Sequence, residues 1–361
     1  MTEKYADQLN LEKKAKGSWL YAYGLLAGRE KLFFDESQLQ QLLSANSESE
    51  FLNLIQNANF LGETVEEALM NSQQADLDLI YSIVPDYALL ELFLLFNDAH
   101  NLKVFLRAIL PAQEPILIKD IEYLFMRPYL TEPQQILSAV RNISENSNDD
   151  SELIKGSGLT DFQVPEWFKV TIKHAEKIYL ETYDISRVDL VVNQALWQEL
   201  IDLLSDINSE WLTEYYLLKA DLINLEILLR CRNLSLSKEF FQRSILLQGN
   251  INQEKWLELF SFENSELVEK IDLLGFSDFS EIVINYHEPE SAPIFSQLAD
   301  SRLMQKIKET KFYASGVEKV AAYYLVREME RRNIRLIRAC QLNSIPQERA
   351  YQMVRPSYVG V

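Results

Sequence analysis

One short phrase occurs three times in this chain, and its spacing constrains the fold more than any single residue does. Asp221-Leu-Ile-Asn224-Leu-Glu-Ile-Leu-Leu-Arg230 reappears as Asp98-Ala-His-Asn101-Leu-Lys-Val-Phe-Leu-Arg107, and more loosely as Glu330-Arg-Arg-Asn333-Ile-Arg-Leu-Ile337. The shared pattern is an acid, two residues, Asn, an aliphatic residue, two residues and an apolar one. Asn224 lies 123 residues after Asn101 and 109 before Asn333. A second echo pairs Ser49-Glu50-Phe51-Leu52, Ile55 and Phe60 with Ser265-Glu266-Leu267-Val268, Ile271 and Phe276 at a constant offset of 216. Two matches in the same order predict three homologous units over 1–120, 121–240 and 241–361. Units of that size each form a small core, unlike the repeats of a short-period solenoid.

The repeats sit in helical sequence. Glycine and proline number ten each in 361 residues, and no proline occurs between Pro165 and Pro289. A stretch that long without its strongest breaker, rich in Leu, Glu, Lys and Gln, predicts helix throughout. Ser47-Glu-Ser-Glu50 reads as a capping box opening a helix. Helices are also expected over 1–34, 65–82, from Pro115 to about Met126, over 165–182, about 189–204, from Ser237 onward, and over 294–310, 316–342 and 346–354. Arg127 to Gln163 reads as an exposed irregular loop. The fold class expected is all-α.

On a helix at about 100° per residue, Leu95, Ala99, Leu102, Phe105 and Leu106 make one apolar stripe, with Asp98 within about 60° of its centre and Asn101 just past its edge. Asp221 and Asn224 take the same places beside Leu218, Leu222 and Leu225. A carboxylate and an amide at the margin of a core need hydrogen-bond partners. The reading favoured is that Asp98, Asn101, Asp221, Asn224, Glu330 and Asn333 are structural and tie one helix to the backbone of a neighbour. Arg107 and Arg230 lie about 180° around the helix from the acid of their own copy, so they are either solvated or face a partner. Arg335 joins them as a partner-contact candidate.

Chemistry is sparse. His100, His174 and His287 are scattered, and Cys231 and Cys340 have no metal-type spacing and read as reduced core thiols. There is no phosphate-binding loop, nucleophile elbow or HExxH motif. Asp149 and Asp150 lack a carboxylate partner at helical spacing. No catalytic residue, cofactor or metal site is expected. The net charge of −19 argues against nucleic acid and against docking on anionic lipid. The densest apolar run, Tyr87 to Phe96, is too short to span a bilayer and carries Glu91. A soluble protein is expected, and the function classes left are one component of a larger assembly, a helical scaffold binding peptides, or an all-α enzyme holding a metal on carboxylates.

Over essentially its whole length the chain resembles the C subunits of the V/A-type rotary ATPases, the family to which the d subunits of eukaryotic V-ATPases belong. The resemblance is carried by Asp98–Arg107, by Asp221–Arg230, and by Gly316-Val-Glu-Lys-Val-Ala-Ala-Tyr323 running on to Arg335. The lead-in to the second unit, Asn193-Gln-Ala-Leu-Trp197, departs from the family's acidic-Tyr style. The resemblance implies a funnel of three similar helical domains with pseudo-threefold symmetry. It implies a single copy within a hetero-oligomer, seated on the cytoplasmic face of the membrane rotor ring with the central-stalk subunits plugged into it. Such a protein transmits torque for proton or sodium transport, has no catalytic residue and does not insert into the membrane.

Overall fold

The computed structural model describes residues 17–112, 116–146, 164–288, 290–313 and 315–359. Among these there are 17 α-helices and four short 3₁₀ turns, with no strand. The all-α expectation holds. The described chain packs as two compact units, residues 86–208 and residues 17–85 with 209–359. These boundaries differ from the sequence periods at 120 and 240, because a period marks where a pattern restarts, whereas a compact unit marks which segments bury surface together.

The unit of residues 86–208 is built around α5 (Ala88–Ile109). That helix is apolar on nearly every side, with Leu92, Leu94, Leu102, Phe105 and Leu106 at 0 % exposure, as expected of a central core helix rather than an amphipathic one. It is followed by α6 (Ile118–Ile121), α7 (Pro133–Asn146), α8 (Glu166–Thr182) and α9 (Ile185–Ile207). Helix α9 lies along α5, while α7 and α8 pack beside them. Two expectations are corrected here. The helix expected up to Met126 is only α6 and a 3₁₀ turn, Glu122–Leu124. The supposed loop after Arg127 contains α7, where Pro133 occupies the first helical position that tolerates it. Ile136 and Val140, one turn apart, are fully buried. The polar run with Asp149 and Asp150 lies outside the described residues.

The other unit combines an early and a late segment. The early one holds α1 (Trp19–Arg29), α2 (Glu36–Ser44), α3 (Glu48–Asn57) and α4 (Val65–Ile83). The late one holds α10 (Glu210–Asn233), α11 (Lys238–Ser244), α12 (Gln253–Leu259), α13 (Asn264–Leu273), α14 (Ser280–Asn285), α15 (Ser291–Lys308), α16 (Val317–Leu342) and α17 (Gln347–Met353). The proline-free stretch is therefore broken repeatedly. Residues in the left-handed region end several helices, at Tyr183, Asn208, Ser235 and Gly275, and lacking a breaker does not oblige a helix to continue.

The echo seen in the sequence is a shared helix ending. After α3, Asn59 takes φ 64° and the Phe60 N–H returns to the Ile55 carbonyl. After α13, Gly275 takes φ 85° and the Phe276 N–H returns to the Ile271 carbonyl. Helices α10 and α16 share a second such ending, with Ser235 and Ser344 left-handed and the Leu236 and Ile345 N–H groups donating to the carbonyls of Cys231 and Cys340. Both cysteines are buried and unpaired. Their equivalence is thus positional, seven residues after Asn224 and Asn333.

Helix α16 packs against α1, α2, α4, α10, α15 and α17. One core cluster joins the early residues Phe34, Leu42, Phe51 and Phe60 to the late residues Ile334, Ile337 and Met353. Polar links reinforce it: Gln341 Nε2 donates to the Leu42 carbonyl (2.9 Å), and Arg338 pairs with Glu48 (2.9 Å). Truncating Phe34, 2 % exposed and stacked on Phe60, is expected to cost about 3–5 kcal/mol in urea denaturation. Phe34→Ala is also expected to speed amide exchange in α16 as well as in α2 and α3. Unchanged protection of α16 would show that the two segments are not one cooperative body.

Candidate functional site

The three asparagines of the repeated phrase make the same pair of bonds. Asn101 Oδ1 accepts the Met126 N–H (2.9 Å) and its Nδ2 donates to the Met126 carbonyl (3.1 Å). Asn224 holds Leu246 in this way at 2.7 and 2.8 Å, and Asn333 holds Arg355 at 2.9 and 3.0 Å. Each amide captures one residue 25, 22 and 22 positions downstream. A primary amide offers one acceptor and two donors, so it satisfies a backbone N–H and C=O together, as a strand neighbour would. The side chains are not at the rim of a core: Asn101 and Asn224 are at 0 % exposure and Asn333 at 3 %. The helical wheel of one helix omits the returning segment that covers them.

The acids one turn earlier hold the same segments. Asp98 accepts the Leu130 N–H (2.8 Å) and the Thr131 hydroxyl (2.7 Å). Asp221 accepts the Asn250 N–H (2.9 Å), Asn250 Nδ2 (3.0 Å) and the Ile251 N–H (3.2 Å). The neighbouring Gly249 makes that approach fit, since a Cβ there would lie 2.1 Å from Asp221 Oδ1. Burial pushes the Asp98 carboxyl up to about 7 and raises that of Asp221, against the donors that favour the ionised form.

Glu330 departs from this pattern. Its Oε1 accepts the N–H of Phe34, 296 residues away (2.6 Å), so the third acid holds the early segment. The longer side chain also reaches Arg327 Nη1 with Oε2 (2.7 Å). Around it lies an ion cluster that the repeat pattern does not single out. Asp76 of α4 accepts the Tyr323 hydroxyl (2.8 Å), Arg327 Nε (3.2 Å) and Arg331 Nη1 (2.6 Å). Ser72 accepts from both arginines at 2.9 and 3.2 Å. Glu328 accepts Arg331 Nε (2.9 Å), while Nη2 lies 2.8 Å from the same oxygen as an ion-pair contact without a hydrogen bond. Arg327 stacks 4.0 Å over the Phe60 ring. The signal was present: Tyr323, Arg327, Glu330 and Arg331 recur at one helix face, where apolar residues are the rule. Arg331 is at 0 % exposure and Arg327 at 3 %. Breaking such a pair from one side costs about 3–5 kcal/mol, because a buried charge is left alone.

The outward arginines behave differently from one another. Arg107 forms a two-point pair with Asp189 of α9 (2.8 and 2.5 Å). Arg230 pairs with Glu226 one turn back (2.8 Å) and reaches the Tyr286 hydroxyl (3.4 Å). Both remain more than half exposed. Arg335 is exposed and makes no ion pair among the described residues. Of the histidines, His100 bonds the Leu124 carbonyl (3.0 Å), and His174 and His287 are exposed. Among the described residues no group of three His, Cys, Asp or Glu side chains is arranged to hold a metal ion, and no helix is long and apolar enough to cross a membrane.

Two measurements check these assignments. Asn224→Ala strands the Leu246 N–H and carbonyl in the core and is expected to cost about 2–4 kcal/mol in urea denaturation. A loss below about 0.5 kcal/mol would mean the clamp is idle. Burial, against the pull of Arg327, raises the Glu330 carboxyl from its ordinary 4.5 to about 7. The native state therefore binds the proton more tightly than the unfolded state between those values. Glu330 contributes most stability below its unfolded pKa, and that contribution is lost as pH rises through about 7. The urea midpoint is expected to fall from about pH 5.5 to about pH 7.5, and to fall by less in Glu330→Gln. An equal pH dependence in both proteins would remove Glu330 from the titration.

Comparison with curated proteins finds no match. A sequence model for the family described as ATP synthase (C/AC39) subunit matches residues 22–353. That span contains all three clamps except the last residue they grip, Arg355, together with the ion cluster and both helix echoes. The chain belongs to the ATP synthase (C/AC39) subunit family of the V/A-type rotary ATPases.

Proposed function

We propose that this protein is the non-catalytic rotor adaptor of a V/A-type ATPase, seated on the cytoplasmic face of the membrane rotor ring and joined to the central-stalk subunits. It transmits torque between the ATP-hydrolysing head and the ring, and takes part in ATP-driven transport of protons or sodium ions. The family match across residues 22–353 carries this reading. The three homologous units over 1–120, 121–240 and 241–361 form a funnel of pseudo-threefold symmetry in this proposal. The thrice-used amide clamp supports the homology of the units.

The physical character of the chain suits the task. A torque-bearing part must resist relative movement of its own helices while it is loaded from two sides. Apolar packing is non-directional and permits sliding, whereas hydrogen bonds and ion pairs fix register. Each long motif helix of this protein is pinned by directional bonds to a segment distant in sequence. An adaptor of this kind needs no active site.

Removal of the protein is expected to leave ATP hydrolysis by the detached head intact and to abolish ATP-driven ion uptake into membrane vesicles. Adding the purified chain back is expected to restore it. Vesicles lacking the protein that still pump at the normal ratio of ions to ATP would defeat the adaptor reading.

A further inference from the structure

Helices α5 and α9 run antiparallel. Lys103 and Arg107, late in α5, bond Asn193 and Asp189, early in α9, and Phe96 lies edge-on to Trp197 (6.2 Å). The last turns of α9 therefore lie beside the start of α5. Five carboxylates gather at that end. Asp86 stands just ahead of α5 and Glu91 in its first turn, while Glu199, Asp202 and Asp206 follow at i, i+3 and i+7 of α9.

These acids are short of counter-charge. Among the described residues the ion pairs of α9 are made at its other end, by Asp189 with Arg107 and by Arg187 with Asp184, and none of the five carboxylates is in one. Asp202 accepts the Gln198 amide (3.1 Å) and Asp86 the Ala88 N–H (3.1 Å). Glu91 Oε1 is buried and has no hydrogen-bond donor among the described residues, a condition that folded proteins rarely tolerate. Burial pushes the Glu91 carboxyl up to about 7, and the charges of Asp86, Glu199 and Asp206 act in the same direction. Burial, then Asp202 and Asp206, likewise raise Glu199. Asp202 and Asp206 also sit at the C-terminal end of α9, where the helix dipole opposes negative charge.

The chain carries a source of cations next to this face. Lys13-Lys14-Ala15-Lys16 directly precede Gly17 and lie outside the described residues. Gly17 itself is fixed: its N–H donates to the Val84 carbonyl (3.3 Å), and a Cβ there would lie 1.8 Å from the Ile83 carbonyl oxygen. Val84 is two residues before Asp86 and seven before Glu91. A run of four residues reaches at most about 14 Å from a fixed point, which keeps Lys13 and Lys14 within range of the start of α5.

We propose that Lys13 and Lys14 dock on the carboxylate face of Glu91, Glu199, Asp202 and Asp206, as a basic strap supplied by the chain itself. An ammonium suits this face because it is a compact charge with three donors that serves more than one carboxylate. Exposed ion pairs are individually weak, but the short tether to Gly17 holds the lysines at an effective concentration of about millimolar or more. The strap does not rest on the adaptor reading.

The test uses the full chain. Carbodiimide coupling joins an amine to a carboxylate where the two touch, and peptide mass spectrometry is expected to find Lys13 or Lys14 linked to Glu91, Glu199, Asp202 or Asp206. The yield is expected to fall at least about fivefold between about 50 and about 500 mM salt. A fluorescent oligolysine peptide is expected to bind the double variant Lys13→Gln, Lys14→Gln at least about tenfold more tightly than the wild type, whose acids are already taken. Circular dichroism is expected to show the same helix content in both. Lys173→Gln, at an exposed position of α8, is expected to bind the peptide like the wild type. Adding Asp202→Asn and Asp206→Asn to the double variant is expected to weaken peptide binding about tenfold. Absence of the cross-links, their persistence at high salt, or equal oligolysine binding by wild type and double variant would each overturn the strap. Peptide binding unchanged by the two Asp→Asn changes would place the peptide elsewhere and overturn it too. Cross-links joining labelled to unlabelled chains in an isotopic mixture would assign the lysines to a second copy, with the same consequence.

Discussion

The structure depends on a polar interaction in a place where polar groups are costly. Each motif helix carries an amide with at most 3 % exposure that pairs with both backbone groups of one distant residue. Left unpaired, a buried amide and a buried peptide group each carry a penalty of about 1–3 kcal/mol. Paired, they define a single register for the returning segment. Hydrophobic burial supplies most of the stabilisation in a helical protein but distinguishes poorly between neighbouring registers. The clamp supplies that distinction, and the carboxylate one turn away adds a second point of attachment that prevents rotation about the first.

The third copy shows how the same device is adapted when the surroundings change. Asp98 and Asp221 reach segments that follow them by 32 and 29 residues. Glu330, one methylene longer, reaches the early segment at Phe34 instead. With that change come two buried arginines and Asp76, so a simple clamp becomes an ion cluster holding α4 to α16. Buried ion pairs are weak sources of net stability, since desolvation offsets most of their attraction. Their effect here is to specify which early helix meets which late helix.

Much of this was legible in the sequence, and the misses have physical causes. The repeat located the motif helices, and helical periodicity put the acids and amides at the margin of a core, short of the full burial that the returning segments give them. The periodicity of α16 sets Arg327 and Arg331 on one face, but it does not name their compensating acid, Asp76, which lies some 250 residues earlier. The loop expected after Arg127 contained a helix because turn-rich composition near Pro128 and Pro133 outweighed the short apolar pattern Ile136, Val140. Arg107 and Arg335, alike as outward arginines in the sequence, differ because, among the described residues, Arg107 alone of the two finds a carboxylate on a neighbouring helix.

The sequence by itself determined the helical class, the three motif helices and the sidedness of their acids and arginines. These follow from local propensity and from the 3.6-residue period, which act within a few turns. Only the tertiary structure decided what each acid and amide grips and that the early segment joins the late one. Those outcomes depend on partners 22 to 296 residues away, and no local pattern encodes a distance of that kind.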